Sequence, residues 1–234
     1  MPNPYFSFKQ FTVHHDRCAM KVGTDGVLLG AWTNIVSAAR ILDIGTGTGL
    51  ISLMLAQRCR AQITAVDIDR EAVEQARGNV MESPWADRIK VEWQDICRYT
   101  PEIRFDTIVS NPPYFVNSMK CPDDQRNKAR HTDELDFENL IACVADLLSP
   151  DGAFSVIIPA DGMSDFLTIS EKNGLFLSRR TYVRTKPEAE PKRVLLEFKT
   201  QSVIAEEDCL VVELSRHVYS KEYTALTKEF YLKM

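Results

Sequence analysis

Ile41-Leu42-Asp43-Ile44-Gly45-Thr46-Gly47-Thr48-Gly49 begins as a short apolar strand and breaks into a turn in which every second residue is glycine. Glycine lets backbone N–H groups approach a ligand closely and enters left-handed conformations at little cost. Helical spacing follows at once, with Leu50, Ile51, Met54 and Leu55 on one face. A strand, a glycine turn and a helix in that order make the first crossover of a parallel sheet, and such a turn holds a nucleoside ligand.

The same alternation continues on both sides of the turn. Strands are expected near 40–44, 62–67, 89–93, 105–110, 153–158, 175–183 and 193–200. Ala72, Val73, Ala76 and Val80 repeat at helical spacing, as do Leu140, Ile141, Val144 and Leu147 within 135–148, before Pro150-Asp151-Gly152 turns the chain back. The pattern predicts an α/β fold with a doubly wound, mostly parallel seven-stranded sheet. Its last two strands are close enough in sequence to form an antiparallel edge hairpin. In the flanks, Thr24-Asp25 could cap a helix carrying Val27, Leu28 and Ala31, and Ser220 one carrying Tyr223, Leu226, Phe230 and Tyr231. The expected organisation is a single domain over 1–234, with a flank at 1–38, a core at 39–200 and an extension at 201–234.

Composition narrows the classes. The chain has 234 residues, 44% hydrophobic and 26% charged, enough to bury a sizeable core. Its formal net charge of −5 excludes a globally basic nucleic-acid wrapper, so a polyanion would have to meet a local patch. The six cysteines form no Cys-x-x-Cys pair, and no metal site is expected. With no basic start leading into an apolar stretch and no bilayer-length run, the expectation is a cytoplasmic protein without a membrane partner.

The glycine spacing also selects the cofactor. The dinucleotide fingerprint puts its third glycine three residues after the second, where this chain has Leu50. Asp43, so close to the turn, would repel a pyrophosphate and suits an amino group, which favours a zwitterionic nucleoside such as S-adenosyl-L-methionine. Asp67 follows 24 residues after Asp43, at ribose-binding distance along the sheet, and Asp95 follows the next strand. Successive strand ends open onto one crevice, so these aspartates should line up along one ligand. The competing reading makes them turn formers and helix caps.

The strand at 105–110 runs straight into Asn111-Pro112-Pro113-Tyr114. Two prolines hold the backbone rigid, and Pro112 offers a carbonyl without a backbone donor. Rigid acceptors suit a planar NH2 group, whose nitrogen becomes nucleophilic as its hydrogens are drawn out of the ring plane. Asn111 Oδ1 and the Pro112 carbonyl would stabilise the charge developing on that nitrogen, and Tyr114 would stack on a base held out of its helix. The plain alternative is a Pro-Pro turn entered through Asn.

In this order, the glycine turn with Asp43, then Asp67, Asp95 and Asn111-Pro112-Pro113-Tyr114 resemble the class I S-adenosylmethionine-dependent methyltransferases of amino groups, over roughly residues 39–160. The resemblance implies that Asp43, Gly45 and Gly47 meet the methionine end, Asp67 the ribose, Asp95 the adenine end and Asn111 to Tyr114 the target amine. S-adenosyl-L-homocysteine would be the product. Three target classes share the tetrapeptide: adenine in DNA, adenine or guanine in RNA, and glutamine in release factors. About 75 residues after the core leave little room for a DNA-recognition region.

The run from Phe11 to Trp32, through His14-His15, Lys21 and Thr24-Asp25, resembles the opening of the bacterial adenine-N6 methyltransferases of tRNA1(Val). That resemblance implies Lys21, Thr24 and Asp25 beside the cofactor and, as partner, the anticodon stem-loop of a valine tRNA, methylated 3′ of the anticodon; a monomer is expected. Lys120, Arg126, Lys128, Arg130 and His131 form one candidate RNA-binding cluster. Arg179, Arg180, Arg184, Lys186, Lys192 and Arg193 form another, and acidic neighbours dilute both. The alternatives are glutamine-amide N5-methylation of a release factor and a cofactor-binding protein without catalysis.

Overall fold

The computed structural model describes residues 3–18, 20–113 and 136–234. A small antiparallel pair, β1 (Tyr5–Ser7) and β2 (Thr12–His14), leads to α1 (Thr24–Trp32). The alternating body follows as β3 (Arg40–Ile44), α2 (Leu50–Arg58), β4 (Gln62–Asp67), α3 (Arg70–Met81), β5 (Ile89–Trp93) and β6 (Phe105–Ser110). It continues through α4 (Phe137–Leu147), β7 (Leu148–Pro159), α5 (Met163–Lys172), β8 (Phe176–Arg184) and β9 (Arg193–Lys199). The last elements are β10 (Glu206–Val211), the hairpin strands β11 (Glu213–Ser215) and β12 (Val218–Tyr219), and α6 (Lys221–Thr227).

The main sheet has the order β10-β8-β9-β7-β6-β3-β4-β5. Every neighbouring pair is parallel except those made by β9, which is antiparallel to both β7 and β8. All seven predicted strands are present, and β10 adds an eighth. Its sequence gave no strand signal because Glu206, Glu207, Asp208 and Cys209 are all exposed, leaving no apolar alternation to read. The β8–β9 hairpin consequently lies one strand in from the edge. The turn expected at Pro150-Asp151-Gly152 is absorbed into β7 as an irregularity: Phe105 pairs with Leu148, yet Thr107 pairs with Ala153.

The central strands β3, β6 and β7 are buried on both faces, as parallel strands inside a sheet must be. On one side Ile41, Leu53, Met54 and Val73 pack among α1, α2 and α3. On the other, Leu42, Ile44, Leu140 and Val144 pack with Phe154, Phe166 and Phe198 under α4 and α5. Phe166 is fully buried, its ring 4.9 Å from Phe137 and 5.7 Å from Phe198. Truncation to alanine should cost about 3–5 kcal/mol in urea unfolding, and a loss under about 1 kcal/mol would contradict this packing.

The two ends of the described chain meet. Phe8 forms a bridge with Tyr231, and Lys9 N donates to Phe230 O at 2.8 Å. Ser220 caps α6 as its position suggests, accepting from Tyr223 N at 3.0 Å. No helix among the described residues is long and apolar enough to cross a membrane.

Candidate active site

The glycine turn folds back onto the end of β4. Gly45 N and Thr46 N both donate to Val66 O, at 2.9 and 3.0 Å. Gly45, Gly47 and Gly49 have φ of 70°, 56° and 81°, the left-handed region that disfavours side chains. A Cβ at Gly45 or Gly47 would meet nothing within 4 Å, whereas one at Gly49 would touch Ala76 Cβ at 3.4 Å. The first two glycines therefore keep a space open, and the third lets the start of α2 approach α3.

Asp43 is fully buried directly behind this turn. Its Oδ2 accepts from Thr46 Oγ1 and Ser52 Oγ, both at 2.7 Å, and from Ser52 N at 3.2 Å. Oδ1 is equally buried and has no partner among the described residues. Burial pushes the carboxyl up to about 6, against the opposing pull of the Ser52 and Thr46 hydrogen bonds. Asp43 does not reach the cleft wall itself: one oxygen shapes the turn and the other is left unmatched.

Asp67 and Asp95 make the turn and the cap of the plainer reading, and both also line the cleft. Asp67 Oδ2 accepts from Gly47 N at 2.8 Å and Oδ1 from Asp69 N at 2.9 Å, so it forms a turn. Burial raises its carboxyl, and the backbone N–H groups of Asp69 and Gly47 oppose that shift. Asp95 caps the short 3-10 turn Ile96–Arg98 through Cys97 N at 2.9 Å. Both carboxylates nevertheless line the same cleft, of about 1030 Å³, together with Gly45, Gly47, Lys21, Thr24, Asp25, Asn111 and Pro113.

The N-terminal segment reaches this cleft because α3 holds it there. Asn79, almost completely buried, accepts from His14 N at 2.9 Å and donates to His14 O at 2.9 Å and Thr48 O at 2.8 Å. Arg17 N donates to Gln75 Oε1. One asparagine thus joins β2 to the glycine turn. The cap expected from Thr24-Asp25 is not made: the N-cap is Gly23, without a side-chain bond, and Thr24 and Asp25 form the first turn. Asp25 Oδ2 instead accepts from Arg193 Nε at 2.9 Å, at the start of β9.

Asn111 follows β6, which lies beside β3 with Ser110 opposite Ile44 and Ser110 Oγ donating to Ile44 O at 3.0 Å. The register places Asn111 next to Gly45 at the sheet's C-terminal edge. Pro112 is buried, while Asn111 and Pro113 face the cleft. Tyr114, and the cluster Lys120, Arg126, Lys128, Arg130 and His131, lie outside the described residues.

The late basic cluster divides in two. The Arg179 guanidinium sits 3.6 Å from the Trp32 ring centroid, donates to Trp32 O and pairs with Glu197 at 3.7 Å. Arg180 pairs with Glu207. Both occupy the first half of β8, away from the cleft, and are committed within the protein. Arg184, Lys186, Lys192 and Arg193 belong to the opposite, cleft-side end of the β8–β9 pair. The cleft wall also includes Ile68, Gln94, Ile96 and Cys97, which the sequence reading did not single out. Their signal was position: each follows directly on the end of β4 or β5, and Ile68 is an apolar residue left 60% exposed beside Asp67.

Comparison with known proteins agrees with this architecture. The family model "Methyltransferase small domain" matches residues 22–161. The chain is 69% identical over 234 residues to the tRNA1(Val) (adenine(37)-N6)-methyltransferase of Phocaeicola vulgatus, covering all of both chains. It is 56% identical to the protein of that name from Bacteroides fragilis, again over the full length of both. Among solved structures it resembles a predicted O-methyltransferase from Agrobacterium tumefaciens, with TM-score 0.69, 19% identity, and 88% of this chain and 96% of that one covered. A glycopeptide N-methyltransferase complexed with S-adenosyl-L-methionine gives TM-score 0.56 at 16% identity, over 76% of this chain and 99% of that one. At such identities the structural likeness is one of fold.

Proposed function

The chain belongs to the tRNA1(Val) (adenine(37)-N6)-methyltransferase family, and from that premise we propose that it methylates N6 of the adenine 3′ of the anticodon in a valine tRNA. The reading has it acting in the cytoplasm as a monomeric, single-domain enzyme. The observation that carries it is the placing of Asn111-Pro112-Pro113 beside the glycine turn, on the cleft that Asp67 and Asp95 share.

The residues present fit S-adenosyl-L-methionine. Gly45 and Gly47 leave room at the turn, and Asp43 braces that turn from behind through Thr46 and Ser52. Asp67 would accept from ribose hydroxyls, with lone pairs beyond those used by Gly47 and Asp69. Ile68 and Ile96 offer apolar surfaces to the adenine, and Asp95 accepts at its edge. When bound, this cofactor supplies an electrophilic methyl group on a sulfonium and leaves as S-adenosyl-L-homocysteine. Asn111 Oδ1 and the Pro112 carbonyl hold the two hydrogens of the target amine, so that its lone pair points at the methyl carbon. As the new C–N bond forms and the C–S pair returns to sulfur, these acceptors stabilise the positive charge on nitrogen, and the extra proton leaves to water.

The direct test uses labelled cofactor and bulk tRNA from a strain lacking the gene. N6-methyladenosine in one valine tRNA is the expected result, read by mass spectrometry of a digest. Label in a protein with a Gly-Gly-Gln motif and none in RNA would instead establish the release-factor reaction. A further expectation comes from Asp43, whose carboxyl burial lifts to about 6. The ionised form is the stronger acceptor for the Thr46 and Ser52 bonds that hold the turn, so affinity for S-adenosyl-L-homocysteine should weaken as pH falls from 7 to 5. Asp43→Asn should bind weakly with a flat profile in calorimetry, and a parent curve that is equally flat would remove Asp43 from this role.

A further inference from the structure

We propose that the β11–β12 hairpin and the adjoining β8–β9 turn form the surface that grips the phosphate backbone of the RNA substrate. This rests on the tRNA reading above and extends it to residues far along the chain from the catalytic tetrapeptide. The strand that makes the surface is β10. It runs parallel to β8, with Val211 opposite Arg184, so it ends at the same sheet edge as the active cleft. Val212 N donates to Arg184 O at 2.8 Å and Glu213 N to Thr185 O at 3.0 Å, which carries the pairing into the β8–β9 turn. The hairpin then projects beyond that edge and is closed at its base by Ser220 N donating to Val212 O.

The chemistry of this edge suits RNA. Arg216 and His217 form the two-residue tip of the hairpin, with His217 at φ 64° turning the chain sharply. Residues 214–219 are all exposed, including Tyr219 and the tip. Lys186 and Lys192 are exposed in the turn beside them, and no ion pair among the described residues engages Lys186, Lys192 or Arg216. Cations beside an exposed tyrosine and histidine offer phosphate contacts and stacking planes together. Along β10 the charge reverses: Glu206, Glu207 and Asp208 lie at the far end, where Arg180 pairs with Glu207 and Glu206 and Asp208 act on the Arg179 guanidinium. A chain of net charge −5 thereby presents Lys186, Lys192 and Arg216 together on the cleft side.

Distance and connection agree. Three strands separate β6 from β10, so the hairpin stands about 19 Å from Asn111 along the edge, at ~4.8 Å per strand. That is a span which a base held in the cleft and the stem behind it would bridge. The Arg193–Asp25 pair joins the β8–β9 turn to the cleft wall, so both parts of the surface rest on a common frame. Glu188 and Glu190 share the turn, and the phosphate contacts must therefore be few.

The test measures binding of a fluorescent anticodon stem-loop RNA to the full chain by anisotropy over a range of salt, alongside S-adenosyl-L-homocysteine calorimetry. Arg216→Glu should weaken RNA binding about tenfold and lower the salt slope by about one, as loss of one phosphate contact requires. The double change Lys186→Glu with Lys192→Glu should weaken binding independently and lower the slope by about two, covering the case in which one variant fails to fold. S-adenosyl-L-homocysteine affinity should stay within twofold. Unchanged RNA affinity and slope in both would overturn the surface even if the parent methylates tRNA. Weakened RNA binding in a parent that methylates no RNA would keep the surface and defeat the tRNA-methylation reading. Concentration-dependent self-association abolished by Arg216→Glu, with RNA affinity intact, would assign the hairpin to a second copy and also overturn the proposal.

Discussion

Asn111→Ala should lower turnover by about 10²-fold or more while S-adenosyl-L-homocysteine binding stays within a few-fold of the parent. The reason is geometric. Asn111 leaves β6 directly after Ser110, whose hydroxyl is bonded to Ile44 O, and enters a buried proline, so its position is held from both sides. A side-chain acceptor held in this way needs no reorganisation as charge develops on the amine, whereas water in its place would need it. Alanine removes that acceptor and leaves the glycine turn, Asp67 and Asp95 as they were. Asn111→Asp, which retains an acceptor, should recover part of the loss in single-turnover measurements. Equal turnover in parent and alanine variant would refute the role given to Asn111.

The second large effect is expected at Gly47. Its φ of 56° is costly for any side chain, by about 1–2 kcal/mol for ordinary residues and more when β-branched. A Cβ there points into open cleft and adjoins the N–H that Asp67 Oδ2 accepts. Gly47→Val should therefore weaken S-adenosyl-L-homocysteine binding 100-fold or more, equivalent to about 2.7 kcal/mol. Gly49→Ala makes the contrast, because its Cβ would press on Ala76 rather than on the cleft. It should lower the melting temperature more than it lowers affinity. Calorimetry on both variants decides the matter, and a Gly47→Val affinity within threefold of the parent would mean that the turn does not cradle the cofactor.

The central strands were readable because β-branched and leucine-rich runs between helical repeats have one simple explanation, burial on both faces of a parallel sheet. β3, β4, β5 and β6 fall where the sequence puts them. β10 did not, since its pairing partner supplies what its own side chains lack. At the candidate site, the convergence of Asp67, Asp95 and Asn111 on one cleft was legible from their order after strand ends. Asp43 was legible as a neighbour of the turn, but its burial behind the cleft wall, bonded to Ser52, depends on a contact nine residues away. Arg179 and Arg180 looked like RNA ligands because a sequence does not display the Trp32 ring and Glu207 carboxylate that take them up. The hold of Asn79 on His14 spans 65 residues, and no local pattern announces it.

The meeting of Phe8 with Tyr231 has a bearing on how the molecule is made. Synthesis runs from the N-terminus, and early parts of a chain fold before later ones emerge. β1 and β2 come early in this sequence, yet the surface that seats Phe6 and Phe8 includes Phe230 and Tyr231, which leave the ribosome more than 200 residues after them. Closing so long a loop adds little entropy beyond that of a shorter one, so the delay is set by translation and not by thermodynamics. The segment that leads from β2 to Lys21 and Thr24 gains its full support only when residue 231 is available. A nascent chain should therefore hold the cleft half-walled until residues 230 and 231 have emerged.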